Sequence, residues 1–222
     1  VKSQRMKSEL ITNVSHDLKT PLTAIITYVN LLKEEDISED DRASYIAVLE
    51  QKSMRLKVLI EDLFEVSKAN SNNITLHPEE IDVVNLMKQV RLELSDQILS
   101  SGIDFRWELP EEKVILTLDG QKTCRIFENL LINIAKYAMP GTRAYIDMSI
   151  QGDEICISFR NISATELHAS GQDLTERFVR GDESRNTEGS GLGLAIAKSF
   201  TEVQGGRMIA QTEADLFRVL LY

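Results

Sequence analysis

The sequence predicts an α+β chain of two domains, a helical hairpin over residues 1–72 and an α/β sandwich over residues 73–222. In the first domain, apolar residues recur every three or four positions, which is the period of an amphipathic helix. In the second, short strand-like runs alternate with helical patterns, which is typical of a mixed sheet covered by helices. The polar stretch from Ser67 to Asn73 favours turns and indicates a linker between them.

The first predicted helix has one apolar stripe and a polar face that carries a histidine. The stripe consists of Met6, Leu10, Val14, Leu18, Leu22, Ile25, Val29 and Leu32. At about 100° per residue, His16 lies nearly opposite the stripe and points into water. Thr20 shares its face one turn later, and Asp17 is its neighbour in sequence. An acid, an imidazole and a hydroxyl could therefore meet one incoming partner, and the pattern nominates His16 as a nucleophile.

Pro21 allows two interpretations of this helix. Thr20 could cap a new helix that Pro21 opens, because a hydroxyl residue before proline is a common helix start. The helical spacing of the apolar residues nevertheless continues through Pro21 without interruption. This favours a single helix that is kinked at the proline, with the bend beside His16.

A second helix is predicted from Arg42 to Asn70, after an acidic turn. Its apolar seam is spaced by alternating steps of four and three, with Lys52 as the interruption: Tyr45, Leu49, Leu56, Leu59, Leu63 and Val66. Two such helices leave part of each stripe uncovered. Dimerisation into a four-helix bundle is the simplest remedy, and a hairpin packed on the rest of the same chain is the alternative.

The second domain is predicted to contain these elements in order: a strand at 74–76, a helix over 83–100, strands at 103–109 and 114–118, a helix over 121–137, a hairpin over 143–161 that turns at Gly152-Asp153, a polar loop to 188, a helix over 192–204, and two closing strands.

Composition restricts the partners. The formal charge of −10 disfavours nucleic acid, since no basic excess is available to neutralise phosphates, so we expect a protein or small-molecule partner. No apolar run approaches the roughly 20 residues that cross a bilayer. Cys124 and Cys156 lack metal-type spacing and are expected to be free thiols. The chain opens inside a helical pattern, which suggests a fragment of something longer.

The predicted helix over 121–137 presents a polar face. Asn129, Asn133 and Lys136 project from one side, followed by Tyr137, while Leu130, Leu131 and Ile134 occupy the other. Such a face either meets a ligand or is simply solvated. The amide oxygen of Asn133 is a ligand type that Mg²⁺ accepts together with phosphate oxygens.

A glycine-rich stretch precedes the next helix. Gly189, Gly191, Leu192 and Gly193 belong to the run Gly-Ser-Gly-Leu-Gly-Leu. Glycines let the backbone approach a phosphate, and the N-terminus of the following helix favours an anion. The stretch therefore predicts a phosphate cradle, with a purely structural glycine turn as the alternative.

A long charged loop lies upstream of these glycines. Phe178 could anchor it as a lid while Arg180 pairs with a phosphate, and a plain surface loop is the other interpretation.

In this order, the motifs resemble the catalytic core of a bacterial sensor histidine kinase of a two-component system, over the whole chain. His16 and its flanks match the phosphoacceptor box, Asn129 to Tyr137 the asparagine box, Phe178 and Arg180 the lid, and Gly189 to Gly193 the second glycine box. The resemblance implies a dimeric hairpin and a domain that binds Mg·ATP, as in gyrase, Hsp90 and MutL.

The resemblance also implies the chemistry. His16 attacks the γ-phosphate of ATP with Asp17 as base or orienting group, and the phosphoryl group passes to an aspartate of a response regulator receiver domain. Mg²⁺ at Asn133, with Lys136 and Arg180, balances the phosphate charge. Asp17 and Thr20 match the pattern that positions water for dephosphorylating the regulator. The parent protein is implied to be a membrane-anchored sensor, with this chain as its cytoplasmic portion and without membrane contact of its own.

One motif departs from the family pattern. The first glycine box, normally an aspartate followed by two spaced glycines, is Asn161-Ile162-Ser163-Ala164-Thr165 here. The Asn161 oxygen can still accept from the adenine amino group, but without charge, and the missing glycines are expected to stiffen the loop. Two other classes therefore stay open: a degenerate ATP-binding scaffold or phosphatase with little kinase turnover, and an ATP-driven clamp.

Overall fold

A computed structural model describes residues 18–34, 36–70, 75–152, 154–167 and 192–222. The chain divides into two compact units between Ser67 and Lys68. No helix within the described ranges combines the length and hydropathy needed to cross a membrane.

The first unit is a pair of helices. Helix α1 is described over residues 18–31, and α2 spans Glu39–Asn70. The Ser38 hydroxyl accepts the Asp41 N–H at 3.1 Å and donates to the Asp41 carboxylate at 2.6 Å, which caps the start of α2. Because of this cap, α2 begins three residues earlier than the predicted Arg42.

Pro21 lies inside α1. Residues 18–20 are already helical, so the interpretation in which Thr20 caps a new helix is wrong, and the helix is continuous through Pro21. His16 and Asp17 are outside the described residues.

The predicted seam of α2 faces α1. Leu59 is buried at 5% exposure, and the Tyr28 and Tyr45 rings pack with centroids 5.4 Å apart. The other seam residues whose side chains are described, Leu49, Leu56 and Leu63, are half-buried. Other large apolar side chains stay exposed on the two helices: Leu22, Ile26, Val29, Ile46, Met54, Val58, Ile60 and Phe64. One hairpin thus leaves much apolar surface uncovered.

The second unit is an α/β sandwich. Its elements are β1 (Pro78–Asp82), α3 (Val83–Glu93), α4 (Ser95–Ser100), β2 (Asp104–Glu108), β3 (Ile115–Asp119), α5 (Gly120–Tyr137), β4 (Arg143–Gln151), β5 (Glu154–Ile162), α6 (Gly193–Val203), β6 (Met208–Glu213) and β7 (Leu216–Leu221). The main sheet has the order β2-β4-β5-β7-β6, and β1 pairs with β3 in a separate two-stranded sheet. Strands β2 and β4 are parallel and the other pairs are antiparallel. The expected mixed sheet is therefore confirmed.

The core lies between one side of the main sheet and the helices. Alternate residues of the central strands, such as Ile146, Phe159 and Val219, are at most 2% exposed, as expected for a sheet with one covered side. Phe127 of α5 and Phe200 of α6 are each 1% exposed. The apolar stripe predicted for α5 is thus the stripe that packs.

Two predicted elements of this unit were wrong. Residues 75–77 have no regular structure, and the strand lies instead at Pro78–Asp82. The sequence of this strand does not alternate between apolar and polar residues, because the consecutive residues Glu79 and Glu80 are both exposed. The strand forms where it does because it pairs with β3. The single helix predicted over 83–100 is interrupted at Leu94, where φ is −93° and ψ is 10°.

Candidate functional site

The position of α5 is fixed by the residue that caps it. The Asp119 carboxylate accepts the N–H groups of Lys122 and His77, each at 3.0 Å. Burial raises the pKa of Asp119, but these hydrogen bonds and the Lys122 charge outweigh it, so its pKa lies below the ordinary 3.8. The cap also ties α5 to α6, since Gln204 Oε1 accepts the Asp119 N–H at 2.7 Å.

Sequence reasoning missed both Asp119 and Gln204. Asp119 carries a recognisable signal, since an aspartate just before a helical apolar pattern is a common N-cap. Gln204 carries none, because its role depends on the packing of α6 beside α5.

Asn129 of α5 lies against the first residue of α6. Its Nδ2 donates to the Arg125 carbonyl at 2.8 Å, and its Oδ1 faces Gly193. A Cβ atom at Gly193 would stand only 3.1 Å from that oxygen, so a larger residue here would require the Asn129 side chain to shift by a few tenths of an ångström. Two predicted site residues, distant in sequence, are thus brought together.

The other polar residues of α5 line the same helix face. Asn133 and Tyr137 are half-buried and Lys136 is exposed, while Leu130 and Leu131 on the opposite side are buried. The Asn133 side chain makes no hydrogen bond within the described part of the chain. Its carbonyl oxygen therefore fits the chemistry of a hard cation held together with phosphate oxygens.

The end of β5 is joined to the end of α5. The Ala164 N–H donates to the Tyr137 carbonyl at 2.9 Å, and the Met139 N–H donates to the Ile162 carbonyl at 2.8 Å. These two bonds set Asn161, on the covered side of the sheet, beside the C-terminal turn of α5.

Asn161 is a buried amide with an open acceptor. The residue is 5% exposed, and its Nδ2 donates to the Ile162 carbonyl at 3.2 Å. No donor to its Oδ1 exists among the described residues. An acceptor that no described protein group occupies can receive a hydrogen bond from a ligand.

The turn after Asn161 is built without glycine. The Ser163 hydroxyl accepts the Thr165 N–H at 3.3 Å, and the Ser163 N–H donates to the Asp215 carbonyl at 2.7 Å. Neither residue has a positive φ. A hydroxyl turn thus takes the place of the spaced glycines.

Helix α6 begins directly at the predicted glycine stretch. Leu192 is its N-cap, 1% exposed, and its side chain gives no capping hydrogen bond to the first turn. Gly193 is the first helical residue. Phe178, Arg180, Gly189 and Gly191 lie outside the described residues.

Away from this face, Cys124 lies beside two carboxylates. Burial and the charges of Glu128 and Glu93 raise the pKa of the Cys124 thiol to about 11. Cys124 and Cys156 are both free thiols, as predicted. The raised pKa keeps Cys124 protonated and poorly nucleophilic near neutral pH.

Comparison with known proteins matches both units to families. Residues 6–72 match the His Kinase A (phospho-acceptor) domain. Residues 118–219 match the Histidine kinase-, DNA gyrase B-, and HSP90-like ATPase family.

Among curated relatives, the sensor protein VanSC of Enterococcus gallinarum is 34% identical over 224 residues, which are 99% of this chain and 62% of that protein. The chain thus spans less than two thirds of that relative.

Two solved structures share the fold. ShkA in complex with AMPPNP matches with a TM-score of 0.67 and 23% identity, over 96% of this chain and 45% of that one. Histidine kinase ThkA in complex with the response regulator protein TrrA matches with a TM-score of 0.68 and 18% identity, over 99% of this chain and 63% of that one. With its phospho-acceptor hairpin followed by an ATPase-type sandwich, the chain belongs to the sensor histidine kinases, as a catalytic core of that family.

Proposed function

We propose that this chain phosphorylates itself on His16 from Mg·ATP and passes the phosphoryl group to an aspartate of a response regulator. The observation that carries the proposal is the polar face of α5 beside the open acceptor of buried Asn161. It occurs in a chain that also carries a phospho-acceptor hairpin. That ShkA is a structural neighbour solved with AMPPNP supports a nucleotide as the ligand.

Asn161 recognises the base in this proposal. Because its Nδ2 is engaged by the Ile162 carbonyl, the Oδ1 is the atom presented to the ligand. An acceptor suits the exocyclic amino group of adenine. An amide replaces the carboxylate of the family pattern, so the contact is uncharged.

The phosphates lie along α5 and at the start of α6. Asn129, Lys136 and Tyr137 contribute polar groups, and the N-terminus of α6 favours an anion. The rest of the cradle and the lid are assigned to Gly189, Gly191, Leu192, Gly193, Phe178 and Arg180. Asn133 holds Mg²⁺, which when bound neutralises phosphate charge.

His16 supplies the nucleophile. A neutral imidazole nitrogen attacks the γ-phosphorus, the bond from that phosphorus to the bridging oxygen breaks, and ADP leaves. Asp17 orients the imidazole and offsets its growing positive charge. In the second step a receiver aspartate takes the phosphoryl group. Thr20, with Asp17, positions a water molecule for a second activity, the hydrolysis of the phosphoryl group on the regulator.

The partners proposed are a second copy of the chain and a receiver domain. The exposed apolar residues of the hairpin favour a dimeric four-helix bundle. ThkA, a structural neighbour, is solved with a response regulator protein. We further propose that the chain works as the cytoplasmic portion of a membrane-anchored sensor.

Incubation with γ-labelled ATP tests the proposal. Labelling that is acid-labile and base-stable is expected, and His16→Gln should abolish it while nucleotide binding stays intact. Addition of candidate receiver domains should then remove the label from the chain. Labelling that survives His16→Gln contradicts the assignment. Steady ATP hydrolysis without any labelling would instead favour a clamp.

Asn133→Asp and Asn161→Asp separate the two halves of the nucleotide site. Asn133→Asp should weaken Mg·ATP binding or phosphoryl transfer, and unchanged kinetics would oppose the metal role. Asn161→Asp should change nucleotide affinity, whereas equal affinity in both forms would show that Asn161 does not contact adenine.

A further inference from the structure

The orientation of the Asn161 amide is held by one weak contact. Its Nδ2 donates to the Ile162 carbonyl at 3.2 Å, the long end of the range for such hydrogen bonds. Within the described ranges, no second hydrogen bond reaches this side chain. Its register partner on β7 is Phe217, which is apolar and 8% exposed. The opposite strand therefore offers no polar group that would distinguish the two ends of the amide.

The Ile162 carbonyl does not depend on that contact. It also accepts the Met139 N–H at 2.8 Å, so it keeps a donor when the side-chain amide turns away. A half-turn about the last torsion of an asparagine exchanges its oxygen and nitrogen within almost the same volume, and this torsion is roughly two-fold. Asn161 can therefore present Nδ2 instead of Oδ1 to a ligand. The cost is one neutral hydrogen bond and the placement of Oδ1 beside the carbonyl oxygen.

The two orientations of the amide recognise different purines. With Oδ1 outward, the amide accepts from a 6-amino group, as in adenine. With Nδ2 outward, it donates to a 6-oxo group, as in hypoxanthine and guanine. An ionised carboxylate at the same position offers acceptors only and repels a 6-oxo oxygen. Asparagine in place of the aspartate of the family pattern therefore weakens the discrimination between the two kinds of base.

We propose that this chain accepts 6-oxopurine nucleoside triphosphates as phosphoryl donors besides ATP, because Asn161 turns either end of its amide towards the base. The inference rests on the proposed function, in which Asn161 contacts the base. The transfer to His16 is otherwise unchanged, since the same bond from the γ-phosphorus to the bridging oxygen breaks and the 6-oxopurine diphosphate leaves in place of ADP. The preference for ATP is then about tenfold, the order that one neutral hydrogen bond contributes.

Binding of Mg·ATP and Mg·ITP to the full chain, measured by calorimetry at neutral pH, tests the inference. ITP carries a 6-oxo group where ATP carries the 6-amino group, and it lacks the 2-amino group of GTP. We expect ITP to bind about tenfold more weakly than ATP, and γ-labelled ITP to label His16. Asn161→Asp should widen the ratio by a further factor of about 100, because a charged acceptor then faces an oxygen with which it cannot pair.

Asn85→Asp makes the same chemical change at an exposed position of α3 and should leave both affinities unchanged. If Asn161→Asp fails to fold, which thermal melting would reveal, the wild-type ratio decides alone. ITP that binds more than about a hundredfold more weakly than ATP overturns the inference and leaves the proposed kinase intact. The same ratio in the wild type and in Asn161→Asp also overturns it. Absence of ATP binding would instead overturn the proposed function, and this inference with it.

Discussion

The two units of this chain bury their apolar residues to very different extents. In the described part of the hairpin, Pro21 and Leu59 are buried, while Ile26 and Phe64 stay 54% and 62% exposed. In the sandwich, helices and sheet bury residues as large as Phe127 and Phe200 almost completely. The sandwich therefore has a packed core of its own, whereas much of the apolar surface described in the hairpin is left uncovered.

The largest test of this contrast uses two phenylalanines. Phe127→Ala should destabilise the sandwich by about 3–5 kcal/mol, because it removes a buried ring and leaves a cavity. Phe64→Ala, the matched change on the hairpin, should cost under about 1 kcal/mol in a monomer. Denaturant unfolding of each variant gives both values, and equal losses would remove the contrast.

The second test concerns what covers the hairpin. Ile26→Glu places a charge on the exposed apolar face of α1, so it should weaken self-association by about tenfold or more. Lys33→Glu, a charge change in the exposed turn that follows the same helix, should leave association unchanged. Sedimentation at several concentrations measures both. A wild-type chain that stays monomeric would favour the intramolecular alternative, and a dimer unaffected by Ile26→Glu would contradict an interface on this face of α1.

The third test is a pH dependence within the sandwich. Since the pKa of folded Asp119 lies below 3.8, its ionised form contributes stability above pH 3.8, and this contribution is lost as the pH falls through the lowered value. Asp119→Ala should cost about 0.5–2 kcal/mol at neutral pH, with a smaller difference in acid. Unfolding curves at neutral and acidic pH give the comparison, and a pH-independent difference would contradict the linkage.

The smallest effect is expected at Cys124. Because its pKa is raised to about 11, its alkylation should be slow at neutral pH and accelerate towards pH 11. Glu128→Gln removes a neighbouring charge and should lower that pKa. Iodoacetamide kinetics across pH report it, and an identical profile in both forms would rule out the carboxylate as a cause.

What the sequence could predict was the periodic part of the fold. The α2 seam and the α5 stripe follow from spacing alone, and Gly152, with φ of +65°, marks the β4–β5 turn. The position of strand β1 was predicted wrongly, because its two consecutive exposed glutamates interrupt the alternation of apolar and polar residues that is typical of a strand. The interruption of the predicted helix at Leu94 was missed, because the spacing of apolar residues carries no information about the backbone dihedral angles of a single residue.

The candidate site divides in the same way. The polar face of α5 could be predicted, since it depends on helical spacing within one segment. The contact between Asn129 and Gly193 and the open Oδ1 of Asn161 could not, because both depend on how distant segments pack. His16 stays a prediction from its motif.

The turn at Ser163 bears on how such proteins are recognised. The Ser163 hydroxyl accepts a backbone N–H there and no residue of the turn has a positive φ, so this chain makes the bend without glycine. A sequence motif that requires glycines in the first glycine box would not detect chains that have a hydroxyl residue at this turn. Ser163→Ala removes the acceptor of the Thr165 N–H, so the consequence of the hydroxyl is that this turn depends on one side chain.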